Sequence, residues 1–320
     1  MIGDKSENVL ITGGNGNLGW LVADKLLRRG QRVVKFDIPG TERASIQAGE
    51  TVLSGDIRDT QALKNILAEY RPGTIYHLAS LLSGSSEADL VAAWEINATA
   101  SFNLLNLAHE TGVERFFFAG TAASYGPVDR DPMPLDYPQW PENMYGATKV
   151  AVERMGVYFR RRHGLDFRCL RFPLVVSPFA PEGAVSAFPS HAFKAASKGK
   201  PFCFPVSRTT GMSTLFLEDA IDSIVDFTAA DPANLSSPAY NLHGYYLSAG
   251  MVADAARQRF PDFDFRFEPV ETVEHLISSW PDALDDSAAR RDWGWQPAFD
   301  FDRSVDRICA LLDASAGDND

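Results

Sequence analysis

Three glycines, Gly13, Gly16 and Gly19, fall in the run Thr12-Gly13-Gly14-Asn15-Gly16-Asn17-Leu18-Gly19, between the apolar segment Val9-Leu10-Ile11 and a helical stretch from Trp20 to Arg29. No other feature limits the possible folds so tightly. Glycine permits a tight turn, lets backbone approach a pyrophosphate, and allows a helix to pack closely on a strand. The helix start adds free N–H groups and the positive end of its dipole. Gly13, Gly16, Asn17, Leu18 and Gly19 are therefore candidate dinucleotide-binding residues. A glycine triplet alone is weak, but here a strand precedes it and a helix follows.

The rest of the chain continues that strand and helix alternation. Arg32 to Asp37, Thr51 to Leu53, Thr74 to Leu78, Arg115 to Phe118 and Phe167 to Arg171 read as strands, and the intervals hold amphipathic stretches such as Thr60 to Tyr70 and Ala88 to His109. Crossovers of this length predict a Rossmann-type α/β fold, a doubly wound parallel sheet with helices on both faces. After Pro173 the rhythm breaks. Proline and glycine thicken from Pro178 to Pro205, helices are expected at Leu217 to Ala230 and Ala249 to Arg259, and Asp264 to Pro269 is strand-like. We expect a dinucleotide-binding domain over 7–173 with returning elements around 205–242. A smaller C-terminal substrate lobe would take 174–204 and 243–313, and 314–320 would be a disordered tail.

Strand ends carry the other cofactor candidates. Asp37 closes the second strand, where a carboxylate accepts hydrogen bonds from both hydroxyls of an adenosine ribose and repels a 2'-phosphate. That favours NAD over NADP, although Lys35 and Arg43 are close in sequence and a plain turn aspartate is the competing reading. Asp56 and Ile57 follow the third strand, with helix capping as the other use of Asp56. Leu78, Ala79 and Ser80 follow the fourth, on the edge where dinucleotides bind in parallel sheets.

The chemical candidates come next in the chain. Tyr145 and Lys149 are four residues apart at the start of a predicted helix, so they share a face, and a lysine charge favours the phenolate of a neighbouring tyrosine. The pair is a candidate general base. Thr121, at the end of the strand through Phe116-Phe117-Phe118, can bond the reacting oxygen, with Ser124 as the fallback.

With the glycine turn at Gly13, Gly16 and Gly19, a hydroxyl four residues before Tyr125-Gly126, and Tyr145 with Lys149, the chain resembles the extended short-chain dehydrogenase/reductases over nearly its full length. The resemblance implies that Tyr145 is the acid/base, that Lys149 lowers its pKa and holds the nicotinamide ribose, and that Thr121 orients the substrate for hydride transfer. It also implies cofactor contacts at Asn97 and Phe172 and substrate contacts at Ser83, Thr121, Ser186 and Trp280. Within the family the likeness is to the short-chain type of L-threonine 3-dehydrogenase. It is carried by His77 to Ser83, by Tyr158 to Pro173, and by Ser279-Trp280-Pro281 with Asp285-Asp286-Ser287 and Asp292-Trp293-Gly294-Trp295. The departures cluster where substrate should bind. The threonine enzymes' Gly-Thr-Thr-Asp-Tyr stretch stands here as Gly183-Ala184-Val185-Ser186-Ala187-Phe188, and a Met-Met-Tyr as Thr214-Leu215-Phe216.

Composition sets the limits. A formal net charge of -12 opposes approach to nucleic acid or anionic lipid, so neither is an expected partner. No apolar run is long enough to span a membrane, and the charged start does not resemble a signal peptide. The three cysteines suggest no disulfide framework, and the six histidines show no metal-ligand spacing, so no metal is expected. The expected protein is cytoplasmic. The leading function is NAD-dependent oxidation of a secondary alcohol on a small molecule. A nucleotide-sugar 4-epimerase is the alternative, and a non-catalytic dinucleotide sensor comes third. A homodimer through Ala88 to His109 and Tyr145 to Arg162 is the oligomer that the resemblance implies.

Overall fold

The computed structural model describes residues 8–41, 46–127, 129–180 and 185–317. β1 (Asn8–Thr12) leads through the glycine turn into α1 (Gly19–Arg28), then β2 (Arg32–Asp37) and β3 (Glu50–Ser54). Next come α2 (Thr60–Tyr70), β4 (Thr74–His77), α3 (Ser83–Ala88), α4 (Leu90–Ala93), a π-helical stretch (Trp94–Thr99), α5 (Ala100–Thr111) and β5 (Arg115–Thr121). α6 (Met144–His163), β6 (Asp166–Phe172), β7 (Leu174–Val176), α7 (Phe188–Ser197), β8 (Phe202–Phe204), β9 (Gly211–Phe216) and α8 (Leu217–Ala229) follow. The chain finishes with β10 (Ala239–Asn241), β11 (Tyr245–Ser248), α9 (Ala249–Arg259), β12 (Phe265–Phe267), α10 (Glu271–Ser278), α11 (Ser287–Trp293) and α12 (Phe301–Gly317).

Among the described residues, seven strands form one sheet in the order β10-β6-β5-β4-β1-β2-β3, and every neighbouring pair in it is parallel. Val9, Leu10 and Ile11 are buried because helices cover both faces of their strand. On one face α2, α5 and α6 press Leu63, Leu104 and Val152 against Leu10, Ile75 and Phe116. On the other, α1 turns Val22, Ala23 and Leu26 inward, toward Ile224 of α8. The order reverses at β1, so the crevice between the ends of β1 and β4 is the topological switch point where an open parallel sheet binds its ligand. Two smaller sheets, β11-β9-β7 and β12-β8, share a third core with α7, α9 and α12 that includes Phe193, Phe204 and Val252. β6 and β7 are separated by Pro173 alone, so one continuous stretch of backbone passes from the large sheet into a small one.

The helix ends have local causes. Asp59 caps α2 by accepting from the Ala62 N–H, and Asn143 caps α6 by accepting from that of Gly146. The run Arg160-Arg161-Arg162-His163 fills the last turn of α6, where cations suit the dipole. Two expectations are corrected. Ala88 to His109 is not one helix: Asp89 takes extended backbone (φ -144°, ψ 93°), caps Ala92 with its side chain and restarts the helix. Of the expected tail, Ala314 to Gly317 belong to α12, and residues 318–320 lie outside the described residues. Among the described residues no helix is long and apolar enough to cross a membrane.

Candidate active site

A cleft of about 570 Å³ opens at the switch point, and the predicted residues converge on it from both ends. At one end lie Gly13, Gly16, Asn17, Leu18 and Gly19, with Asp37, Asp56, Ile57, Leu78, Ala79 and Ser80 around them. The glycine turn is held against the end of β4. A Cβ at Gly13, whose φ is +70°, would lie 2.7 Å from the Ala79 backbone nitrogen, and one at Gly19 would lie 2.1 Å from the Gly13 carbonyl oxygen. Asp37 is fixed by the backbone, its two oxygens accepting from the Asn15 and Ile38 N–H groups at 2.8 Å each.

The competing cation is spent. Lys35 is buried and paired with Glu50 at 2.7 Å, so it offers nothing to a 2'-phosphate; Arg43 lies outside the described residues. Asp56 is not a helix cap, because Asp59 does that work. It pairs instead with Arg58 at 2.6 Å, and that hydrogen bond holds its carboxyl below the usual range. A cradle of close-packed glycine backbone beside a fixed carboxylate is the shape and charge that NAD requires.

At the other end, Thr121, Tyr145 and Lys149 line the cleft with Phe172, and Ser83, Ser186 and Trp280 stand beside them. The Thr121 hydroxyl faces the same cleft as Tyr145 and accepts from the Ala123 N–H at 3.2 Å. Ser124 turns away, buried, with its hydroxyl taking a bond from Gln139 at 2.7 Å. Burial pushes the Tyr145 phenol up to about 12, with the Thr121 hydroxyl acting in the opposite direction. Burial likewise pulls the Lys149 ammonium down to about 8. Lys149 Nζ donates to the Ala119 carbonyl at 3.0 Å and stands 5.4 Å from the Tyr145 ring centre. The lowered phenol that the resemblance implies is therefore not what this geometry produces. At neutral pH the lysine still holds its proton while the phenol is neutral, and ionising the phenol would supply the counter-charge that the buried lysine lacks.

Asn97 is the predicted residue that does not reach the cleft wall. It lies behind it, where its side chain accepts from the Leu81 N–H at 2.7 Å and donates to the Leu81 carbonyl at 3.1 Å, fixing a lining residue by both backbone groups. Sequence reasoning also missed the support beneath the base. Glu153, one turn beyond Lys149 on α6, pairs with Arg171 at 2.7 Å, and Arg171 reaches the Tyr125 hydroxyl, which donates to Asn241 at 2.7 Å. The Glu153 carboxyl is held below its ordinary value in spite of burial, because Arg171 bonds it. This network fastens the helix of Tyr145 to the strand that ends at Phe172. The four-residue step from Lys149 to Glu153 is the signal that could have found it. Of the stretch where the chain departs from the threonine enzymes, Gly183 and Ala184 lie outside the described residues.

Fold and site together define an NAD-dependent oxidoreductase of the short-chain dehydrogenase type. The chain belongs to the NAD dependent epimerase/dehydratase family, which it matches over residues 9–242. It is 33% identical over 301 residues to the mitochondrial L-threonine 3-dehydrogenase of Sus scrofa, a match that spans 93% of this chain and 80% of that protein. Among solved structures it is similar to the holo form of a GalE-like L-threonine dehydrogenase from Cupriavidus necator. There the identity is 29%, the coverage 95% of this chain and 99% of that one, and the TM-score 0.89. A UDP-glucose 4-epimerase from Thermus thermophilus in complex with NAD shares the fold at 22% identity, covering 96% of this chain and 99% of that one, with a TM-score of 0.83.

Proposed function

We propose that the chain oxidises a secondary alcohol of a small molecule to the ketone, with L-threonine or a less polar relative as substrate. The observation that carries this reading is the convergence of Thr121, Tyr145 and Lys149 on the same cleft as the glycine turn and Asp37. Bound NAD supplies the nicotinamide carbon that accepts the hydride. Thr121 orients the substrate hydroxyl, and Tyr145 takes its proton as the carbon–oxygen double bond forms. Lys149 steadies the phenolate. Phe172, at the same end of the cleft as Thr121 and Tyr145, presents apolar surface beside the reacting atoms. Of the cations among the described lining residues, Arg58 is paired with Asp56 and Glu95, and Lys149 belongs to the base, which leaves little to hold a nucleotide diphosphate. That weighs against the epimerase reading.

Purified protein with NAD should form NADH when a panel of hydroxy-amino acids, polyols and hydroxy acids that includes L-threonine is added. Silence across the panel, with inversion of a nucleotide sugar and no net NADH, would transfer the assignment to an epimerase. Leu90, Val91, Trp94, Phe102 and Tyr158 are exposed on the helices from Leu90 to Thr111 and on α6, a face suited to a second copy of the chain. Light scattering should give twice the chain mass, and Trp94→Glu should halve it. Cys169, Cys203 and Cys309 are all free, which suits a reducing compartment such as the cytoplasm.

A further inference from the structure

One polar pair at the substrate end of the cleft has no part in the proton and hydride steps. Ser213 on β9 is 2% exposed and lines the cleft with Met212, Ser186, Trp280 and Pro281. β9 runs parallel to β7 with Thr214 level with Leu174, which brings Ser213 beside Pro173, next to Phe172. Its hydroxyl lies 2.7 Å from His243 Nδ1, and its N–H donates to the Pro281 carbonyl at 3.0 Å. His243 sits in the short turn between β10 and β11. That turn is pressed onto β9, where the Gly244 N–H donates to the Thr214 carbonyl at 3.1 Å and a Cβ at Gly244 would lie 2.7 Å from the same oxygen.

We propose that Ser213, held by His243, is a second recognition point in the substrate pocket. It would bind an uncharged hydroxyl or carbonyl oxygen of the substrate, away from the alcohol that faces Tyr145. The substrate class is then a neutral polyol or hydroxyketone, which narrows the alcohol-oxidising reading on which this inference rests to its uncharged side, away from L-threonine itself. A serine hydroxyl bonded to one imidazole nitrogen keeps unused hydrogen-bonding capacity. When Nδ1 accepts, the serine oxygen is free to accept from a substrate hydroxyl. When Nδ1 carries the proton and donates, the serine gives its own hydrogen to a substrate oxygen.

The second group is not a carboxylate, because among the described lining residues no free cation faces it. Burial holds His243 below its ordinary range, so it is neutral at neutral pH even with Asp286 and Asp131 acting in the opposite direction. Arg58 and Lys149 are the cations among the described lining residues, and both are engaged elsewhere. Residues 181–184, outside the described residues, contain neither lysine nor arginine. A carboxylate brought to Ser213 would give up its hydration without gaining an ion pair.

The test compares isopropanol, glycerol, erythritol and L-threonine on the wild type, Ser213→Ala and His243→Gln. Two readouts are followed: NADH formation, and binding to the NAD-loaded protein by tryptophan fluorescence. The wild type should prefer the polyols to isopropanol by about tenfold. Ser213→Ala should remove that preference without changing isopropanol, and His243→Gln should weaken it. A preference that survives Ser213→Ala, a loss shared equally by isopropanol, tighter binding of L-threonine than of the polyols, or binding of no member overturns the proposal. Should Ser213→Ala fail to fold, His243→Gln decides by the same criteria. If no member yields NADH but polyol binding still depends on Ser213, the recognition point stands and alcohol oxidation falls.

Discussion

The two ends of the cleft are built differently. The cofactor end is made of short contiguous runs at the ends of adjacent parallel strands, Gly13 to Gly19, Asp37, Asp56 with Ile57, and Leu78 to Ser80, and neighbouring backbone fixes each of them. The substrate end is gathered from remote segments. Ser83, Thr121, Ser186, Ser213 and Trp280 come from separate stretches of the chain, and three of them follow the crossing at Pro173. Strand ends are pinned by the hydrogen-bond ladder whatever their side chains are, so the first end is set by backbone geometry. The second depends on which side chains the later segments happen to carry, and so it can change while the chemistry persists.

The largest effect should come from Tyr145→Phe. It should cut turnover by roughly 10²–10⁴-fold and leave NAD affinity within about twofold. Collapse of NAD binding in that variant would show that the two ends are not separable. Gly19→Ala should do the reverse, weakening NAD by about tenfold to a hundredfold, because its Cβ would meet the Gly13 carbonyl oxygen and backbone would have to move. Gly16→Ala, where the nearest atom is 3.3 Å away, serves as the mild comparator in the same calorimetric titration.

Lys149 sharpens the comparison through pH. Its folded-state pKa of about 8 lies below the ordinary 10.5, so between those values the unfolded chain binds the extra proton and stability rises with pH. From pH 8 to 10 the wild type should gain about 2 kcal/mol relative to Lys149→Met in denaturant melts, the ionisation of Tyr145 in the unfolded chain being common to both. A flat difference would mean that the lysine is hydrated. The smallest effect is on cofactor choice. Asp37→Ser should lower the preference for NAD over NADP by about tenfold, measured as the ratio of the two dissociation constants.

What was legible in the sequence follows the same division. The spans Arg32 to Asp37, Thr60 to Tyr70 and Ala249 to Arg259 are the observed elements, since pattern and caps agree within each. The glycine turn, Asp37, Thr121, Tyr145 and Lys149 all line one cleft, because motif spacing there reflects local backbone geometry. Asp89 is hidden inside an apolar helical pattern, where nothing but its capping bond to Ala92 marks the break. Asn97 reads as a cofactor contact, since in sequence a polar residue near the site looks alike whether it faces the cleft or the backbone behind it. Ser213 and His243 carry no signal at all: they are thirty residues apart, and the strand register brings them together.

Pro173 bears on how such a cleft can move. With no N–H to donate and a ring that fixes φ, it interrupts the ladder between the large sheet and the strand that continues from it. The Glu153–Arg171 pair locks the segment just before it to the helix of the base. A movement of the later segments relative to the large sheet would bend the chain from Pro173 onward and leave the proton acceptor on the stationary side. Substrate would arrive at a base that is already in place, and the moving wall would decide only how long it stays.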